Sequence, residues 1–267
     1  MRFSYKRLLT GVLASMMLVG AANAGDLLVY SSTDADNLKH YMDQFQKDNP
    51  DIKVKVVRES TGTMAAKMMA EKDNPQADVL FEMAATVALN MEAQGMFHPY
   101  TPKGMDKIDQ RYVDKEGEVN WVGNYGWAGC ICWNTVEAKK LGLPKPKSWA
   151  DLTNPAYKGL ISMPNPNSSG TGFLDVSSWI QIMGEDAAWN YMDALHKNVG
   201  VYTHSGSKPC KLAAAGEIPI GISFAFRGAK SKAAGAPLDI IAVSYTHLRA
   251  HETKANLGCR RLLEKKK

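Results

Sequence analysis

Three short runs of Ser, Thr and Gly share one chemical design in this 267-residue chain: Ser60-Thr-Gly-Thr63, Asn167-Ser-Ser-Gly-Thr-Gly172 and Ser205-Gly-Ser-Lys208. Each stands where a strand-like segment gives way to a helix-like one. A helix N-terminus carries unpaired N–H donors and about half a positive charge, and small residues let an anion approach them. Converging on one crevice, three such runs would hold a phosphate, phosphonate, sulfate or carboxylate. Singly, each is what an ordinary Ser/Thr helix cap looks like. The Asn167-Ser-Ser sequon is better read as part of such a cap. Enzyme signatures are thin: the chain has no GxSxG elbow, no P-loop, no HExxH and no GxGxxG. His40, His98, His196 and His204 are scattered, and no second CxxC or paired His supports a zinc site.

The elements that must position these runs follow from apolar spacing. Asp26-Leu-Leu-Val-Tyr30 reads as a buried parallel strand, Ile52–Val57 as an alternating one and Ala77–Phe81 as a third. Helices are expected over 37–49, 60–71 and 86–94 between and after them. A strand-rich passage over 121–134 marks the crossing into a second unit. There, strands are expected at 159–163, 201–203, 218–224 and 238–243, with helices at 173–183, 186–195, 210–215 and 225–234. This alternation predicts an α/β fold with its ligand crevice at the C-terminal ends of the strands. Trp121, Trp127, Trp133 and Trp149 are assigned to packing, with one of them free to line the cleft.

Composition narrows the partners. The net charge is +5, but residues 1–7 hold three basic residues and no acid, and 244–267 hold seven basic against two acidic. That leaves 22 basic and 25 acidic residues between them, a net charge of −3 that argues against nucleic acid as partner. Residues 1–24 read as a cleaved signal peptide: Arg2, Lys6 and Arg7, then an apolar core over 8–20, then Ala22-Asn-Ala24. The core is too short for a membrane anchor, and export to the periplasm is expected. In an oxidising compartment Cys210 could bridge to Cys130 or Cys132, or all three could stay buried thiols; Cys259 lies in the basic tail.

Beside these readings stands a resemblance. Leu28-Val-Tyr-Ser-Ser32, Glu59-Ser-Thr-Gly62, Asn74-Pro-Gln-Ala-Asp78, Ser148-Trp-Ala-Asp-Leu-Thr-Asn-Pro155, Pro164-Asn-Pro-Asn-Ser-Ser-Gly-Thr-Gly-Phe173 and His204-Ser-Gly-Ser-Lys-Pro-Cys210 resemble the substrate-binding proteins of ABC importers. The likeness covers about residues 1–243 and is greatest to the 2-aminoethylphosphonate-binding branch, a relative of the ferric-iron binders. It implies a type II periplasmic binding protein fold: two doubly wound lobes, 25–122 and 123–243, joined by a hinge. It implies a monomer that hands its solute to an inner-membrane permease, with no cofactor and no catalysis. Ser32, Thr33, Ser60 and Thr61 of lobe one would face Ser168, Ser169, Gly170, Thr171, Ser205 and Ser207 of lobe two around the phosphonate. Glu82 is the candidate for the ammonium, with Glu59 and Asp34 behind it. Ferric iron is a rival ligand, but Gly221-Ile-Ser-Phe-Ala-Phe226 offers phenylalanines where that family places a tyrosine pair. Phosphate, sulfate or a polyamine are further alternatives, and a secreted hydrolase would need a nucleophile and base that cannot be assembled. From Ser244 the chain resembles translated sequencing-adapter read-through, so the C-terminal part of the fold is expected to be missing.

Overall fold

A computed structural model describes residues 25–114 and 119–243. The expected signal peptide, the tail after residue 243 and Cys259 lie outside the described residues. The N-terminal unit is built from β1 (Asp26–Ser31), α1 (Ala35–Asp48), β2 (Lys53–Arg58), α2 (Thr61–Ala70), β3 (Val79–Phe81) and α3 (Ala85–Glu92). Its sheet runs β2-β1-β3 and every pairing is parallel. Parallel neighbours need a crossover, and α1 and α2 supply it. Register then has a consequence for function. Ser31 lies opposite both Arg58 and Phe81, so all three strands end at one edge. Ser32-Thr33, Glu59-Ser60 and Glu82 leave that edge side by side.

The second unit contains β4 (Gly129–Asn134), α4 (Thr135–Lys140), β5 (Ile161–Pro164), α5 (Gly170–Met183), α6 (Glu185–His196), β6 (Val199–Thr203), α7 (Lys208–Ala215), β7 (Ile220–Phe224), α8 (Ala225–Ala233) and β8 (Leu238–Ile241). The sheet order is β6-β5-β7-β4-β8, with β6, β5 and β7 parallel and β4 antiparallel to both neighbours. All of β4 and β5 is buried, as are Ile220 and Ile222 of β7. Trp179 of α5 packs edge-on against Trp149 and Tyr191, at centroid distances of 5.5 and 5.1 Å, covering one face of the sheet. On the other face the Cys132–Cys210 disulfide ties β4 to α7; of the two partners open to Cys210, it takes Cys132. Cys130 remains a buried free thiol.

Several boundaries differ from the sequence expectation for local reasons. The passage 121–134 is a strand only from Gly129. Before it, Val122 makes a single bridge to Val113, and Gly123, Asn124 and Gly126 interrupt any longer ladder. Helix α5 starts at Gly170 rather than 173 because the Ser169 hydroxyl accepts from the Thr171 and Gly172 amides. Helix α7 starts two residues early because Pro209 fits a first helical turn, where no N–H is needed. Helix α4, which was not expected, is capped by the Asn134 side chain accepting from Val136 and Glu137. No helix among the described residues is long and apolar enough to cross a membrane.

Candidate ligand-binding site

At the edge where β1, β2 and β3 end, Glu82 is the one non-glycine with positive φ (55°) among the described residues. Such a conformation is disfavoured for an L residue, so its surroundings must hold it. Ser32 Oγ donates to the Glu82 carbonyl at 2.9 Å. The Thr33 hydroxyl donates to one carboxylate oxygen, and Asn124 Nδ2 donates to the other at 2.9 Å. Thr33 is itself fixed: its N–H donates to Ser31 Oγ at 3.1 Å, and its carbonyl accepts from Arg58 Nε at 2.9 Å. The result is a half-buried carboxylate with a set direction and lone pairs to spare. Desolvation first, and the Glu82 charge second, push the nearby Tyr125 phenol up to about 12, so it stays a donor.

The second unit contributes neutral hydroxyls. Ser169 caps α5, Ser168 Oγ donates to the His204 carbonyl at 3.3 Å, and the Ser205 and Ser207 hydroxyls lie 3.0 Å apart. Ser223 Oγ holds the Gly206 carbonyl at 2.7 Å. Gly206 must be glycine for this packing: a Cβ there would sit 2.1 Å from Thr171 Oγ1 and 3.0 Å from Ser169 Oγ. The Ser205–Ser207 turn therefore lies directly on the N-terminus of α5.

Helix α2 of the first unit reaches the same place. The Gly62 N–H donates to the Ser168 carbonyl at 2.9 Å. A Cβ on Gly170 would meet Thr61 Oγ1 at 2.6 Å. Ser60, Thr61, Ser168, Ser169, Gly170, Thr171, Ser205 and Ser207 thus meet at one seam. Ser32, Thr33 and Glu82 form a second group on the same strand edge, and among the described residues no hydrogen bond links the two groups. Of the reserve acceptors, Glu59 is exposed, and Asp34 is occupied by Arg227, whose Nε donates to it at 2.9 Å. Sequence reasoning missed Arg227, Asn124 and Tyr125. An arginine alone among small and apolar residues in Gly221–Gly228 was the available signal for the first; Asn124 and Tyr125 carried none.

Two α/β units that meet at a hydroxyl-lined seam, with strand ends and helix N-termini beside it, have the layout of a solute-binding site. The chain belongs to the bacterial extracellular solute-binding protein family, whose model matches residues 31–248. An uncharacterized protein of Haemophilus influenzae is 34% identical over 237 residues, covering 87% of this chain and 68% of its own length. A probable ABC transporter periplasmic-binding protein of Sinorhizobium fredii is 26% identical over 184 residues, 66% of this chain and 49% of that one. Among solved structures, the periplasmic binding protein AfuA from Actinobacillus pleuropneumoniae, with exogenous fructose-6-phosphate bound, superimposes with TM-score 0.76 at 34% identity, covering 81% of this chain and 68% of that one. The periplasmic binding protein P5PA gives 0.72 at 28% identity, over 81% and 69%. Iron-bound HitA from Pseudomonas aeruginosa, at 21% identity and TM-score 0.66 over 80% and 68%, shares the fold. The architecture is that of a type II periplasmic binding protein. The chain is a periplasmic solute-binding component of an ABC transporter, with a small solute as ligand and a membrane permease as partner.

Proposed function

We propose that this protein captures 2-aminoethylphosphonate between lobes formed by residues 25–122 and 123–243, and delivers it to its permease. Two observations support this reading: one oriented carboxylate, Glu82, at the strand edge, and a seam of neutral hydroxyls from Ser168, Ser169, Ser205 and Ser207. Neutral donors suit a phosphonate, because hydrogen bonds to the charged form offset its lost hydration without a counter-cation. The carboxylate suits the ammonium at the ligand's other end. In this reading Ser60, Thr61, Ser168, Ser169, Gly170, Thr171, Ser205 and Ser207 take the phosphonate, while Ser32 and Thr33 hold Glu82 to the amine. A sugar phosphate is the second reading, favoured by the 34% identity to AfuA, in which fructose-6-phosphate is bound.

Titration calorimetry with 2-aminoethylphosphonate, phosphate, fructose-6-phosphate and ferric citrate separates these readings. Glu82→Gln should weaken 2-aminoethylphosphonate by roughly 10- to 100-fold, the worth of one charge-assisted hydrogen bond, and leave phosphate unchanged. No heat with 2-aminoethylphosphonate, or equal affinity in Glu82→Gln, refutes the first reading. Fructose-6-phosphate binding in its place establishes the second.

A further inference from the structure

We propose that Arg227 is a latch between the two lobes and a positioning residue for the acceptor side of the crevice. Arg227 lies on α8 of the second unit, and its side chain is only 6% exposed. It reaches across to the loop that opens α1 in the first unit. There Nε donates to Asp34 Oδ2 at 2.9 Å, and a terminal nitrogen bonds the same carboxylate and Asp36 at 3.1 Å. One turn further along α8, Lys230 donates to Asp36 at 2.5 Å and to Asn37 Oδ1 at 2.8 Å. Arg58 completes the set, 3.9 Å from Asp34. Burial opposes the Arg227 charge, but its hydrogen bonds to the Asp34 and Asp36 carboxylates outweigh it and hold the guanidinium protonated. Lys230 first, and Arg227 after it, keep the Asp36 carboxyl below its usual range.

A buried, doubly hydrogen-bonded pair differs from an exposed one in what its loss costs. Exposed pairs contribute little because water competes for both partners. A buried charge that loses its partner is strongly destabilised. When the lobes part, Arg227, Asp34 and Asp36 all meet water, so removing Arg227 leaves Asp34 an uncompensated buried charge in the closed arrangement alone and shifts the equilibrium toward the open one. The same contact sets the charge of the site. Asp34 directly follows Thr33, whose hydroxyl holds Glu82. With Asp34 paired, Glu82 is the oriented carboxylate beside it for a ligand cation. Without Arg227, Asp34 would keep only Arg58, 3.9 Å away, and the added negative charge would shift preference toward dications such as a diamine. This second role rests on the proposed binding of a zwitterion; the latch itself does not.

The test uses the full chain without ligand first. Small-angle scattering should show a larger radius of gyration for Arg227→Met than for wild type, with Arg227→Lys in between. Asp34→Asn combined with Arg227→Met should expand the chain no more than either change alone. Titration should then show 2-aminoethylphosphonate weakened roughly tenfold or more in Arg227→Met, because only the closed fraction binds tightly, and a measurable gain for putrescine. Scattering of Arg227→Met superimposable on wild type would overturn the latch. Unchanged putrescine affinity would overturn the charge-setting role. Should Arg227→Met fail to fold by circular dichroism, Asp36→Asn with Lys230→Met reads the same expansion from the outer pair. If wild type ignores 2-aminoethylphosphonate, the functional proposal fails while the scattering still decides the latch.

Discussion

Gly62→Ala offers two readouts that move in opposite directions. Gly62 is the second residue of α2, and its hypothetical Cβ falls 2.0 Å from the Asn167 carbonyl oxygen and 2.9 Å from Ser168 Cα. Real Cβ atoms essentially never approach within 3.0 Å, so the lobes must separate by about 1 Å at this point. That shift stretches the 2.9 Å bond from the Gly62 N–H to the Ser168 carbonyl beyond useful range. A lost hydrogen bond costs about 1 kcal/mol and an overpacked contact about 1–3 kcal/mol. Together they oppose closure by about 2–4 kcal/mol, or roughly 30- to 1,000-fold in ligand affinity. Within α2 itself Ala is the better residue by up to about 1 kcal/mol, which would raise the melting temperature by roughly 2–4 °C. Calorimetric titration with the solute that binds wild type, and a thermal melt of the ligand-free chain, measure the two effects. Wild-type affinity in Gly62→Ala would refute the idea that binding requires this backbone contact. A lowered melting temperature would place the contact in the folded core rather than at a moving interface.

Three further predictions concern the second lobe. Asp175 of α5 is fully buried, and among the described residues neither carboxylate oxygen finds a hydrogen-bond partner, nor do the indole N–H groups of Trp149 and Trp179. Burial raises the Asp175 carboxyl well above its usual 3.8. The folded state therefore holds this proton more tightly than the unfolded state does. Its stabilising contribution is full below the unfolded pKa and is lost as pH rises toward the folded one. Asp175→Asn should leave the melting temperature nearly unchanged at pH 4 and raise it at pH 8 by roughly 4–8 °C, from about 2 kcal/mol of relieved desolvation. Equal shifts at both pH values would count against a buried proton. The Cys132–Cys210 bridge closes a loop with a sequence separation of 78, so Cys132→Ser should cost about 4 kcal/mol and lower the melt by roughly 8–16 °C. Cys130→Ala should cost less than Cys132→Ser, since no bridge is lost; burial pushes the Cys130 thiol up to about 12 and keeps it out of disulfide exchange. A Cys130–Cys210 peptide in a non-reducing digest would overturn the pairing.

What was legible in the sequence, and what was not, divides by range of interaction. The strand ends were readable to within one residue, expected at Tyr30, Val57 and Phe81 and found at Ser31, Arg58 and Phe81, because each closes a short apolar or alternating run followed at once by polar, turn-forming residues. The seam residues were readable for the same local reason: Ser and Thr before a helix have few other uses. The antiparallel direction of β4 left no such trace, because a buried strand has the same apolar composition whichever way it runs. Long-range polar pairs were equally hidden. Asp34 looked like a spare acceptor for a ligand cation, yet it is 193 positions from the arginine that occupies it. Asn124 and Glu82 are 42 apart, and neither position hinted at the other. Gly62 is the instructive intermediate. Its place in a Ser-Thr-Gly-Thr run indicated that something must approach the backbone closely, and an anion was the natural choice. The structure shows the carbonyls of Asn167 and Ser168 making that approach, and the Gly62 amide is spent on Ser168. A small residue at a helix N-terminus records close contact without recording with what, so the same pattern serves ligand capture and lobe closure alike.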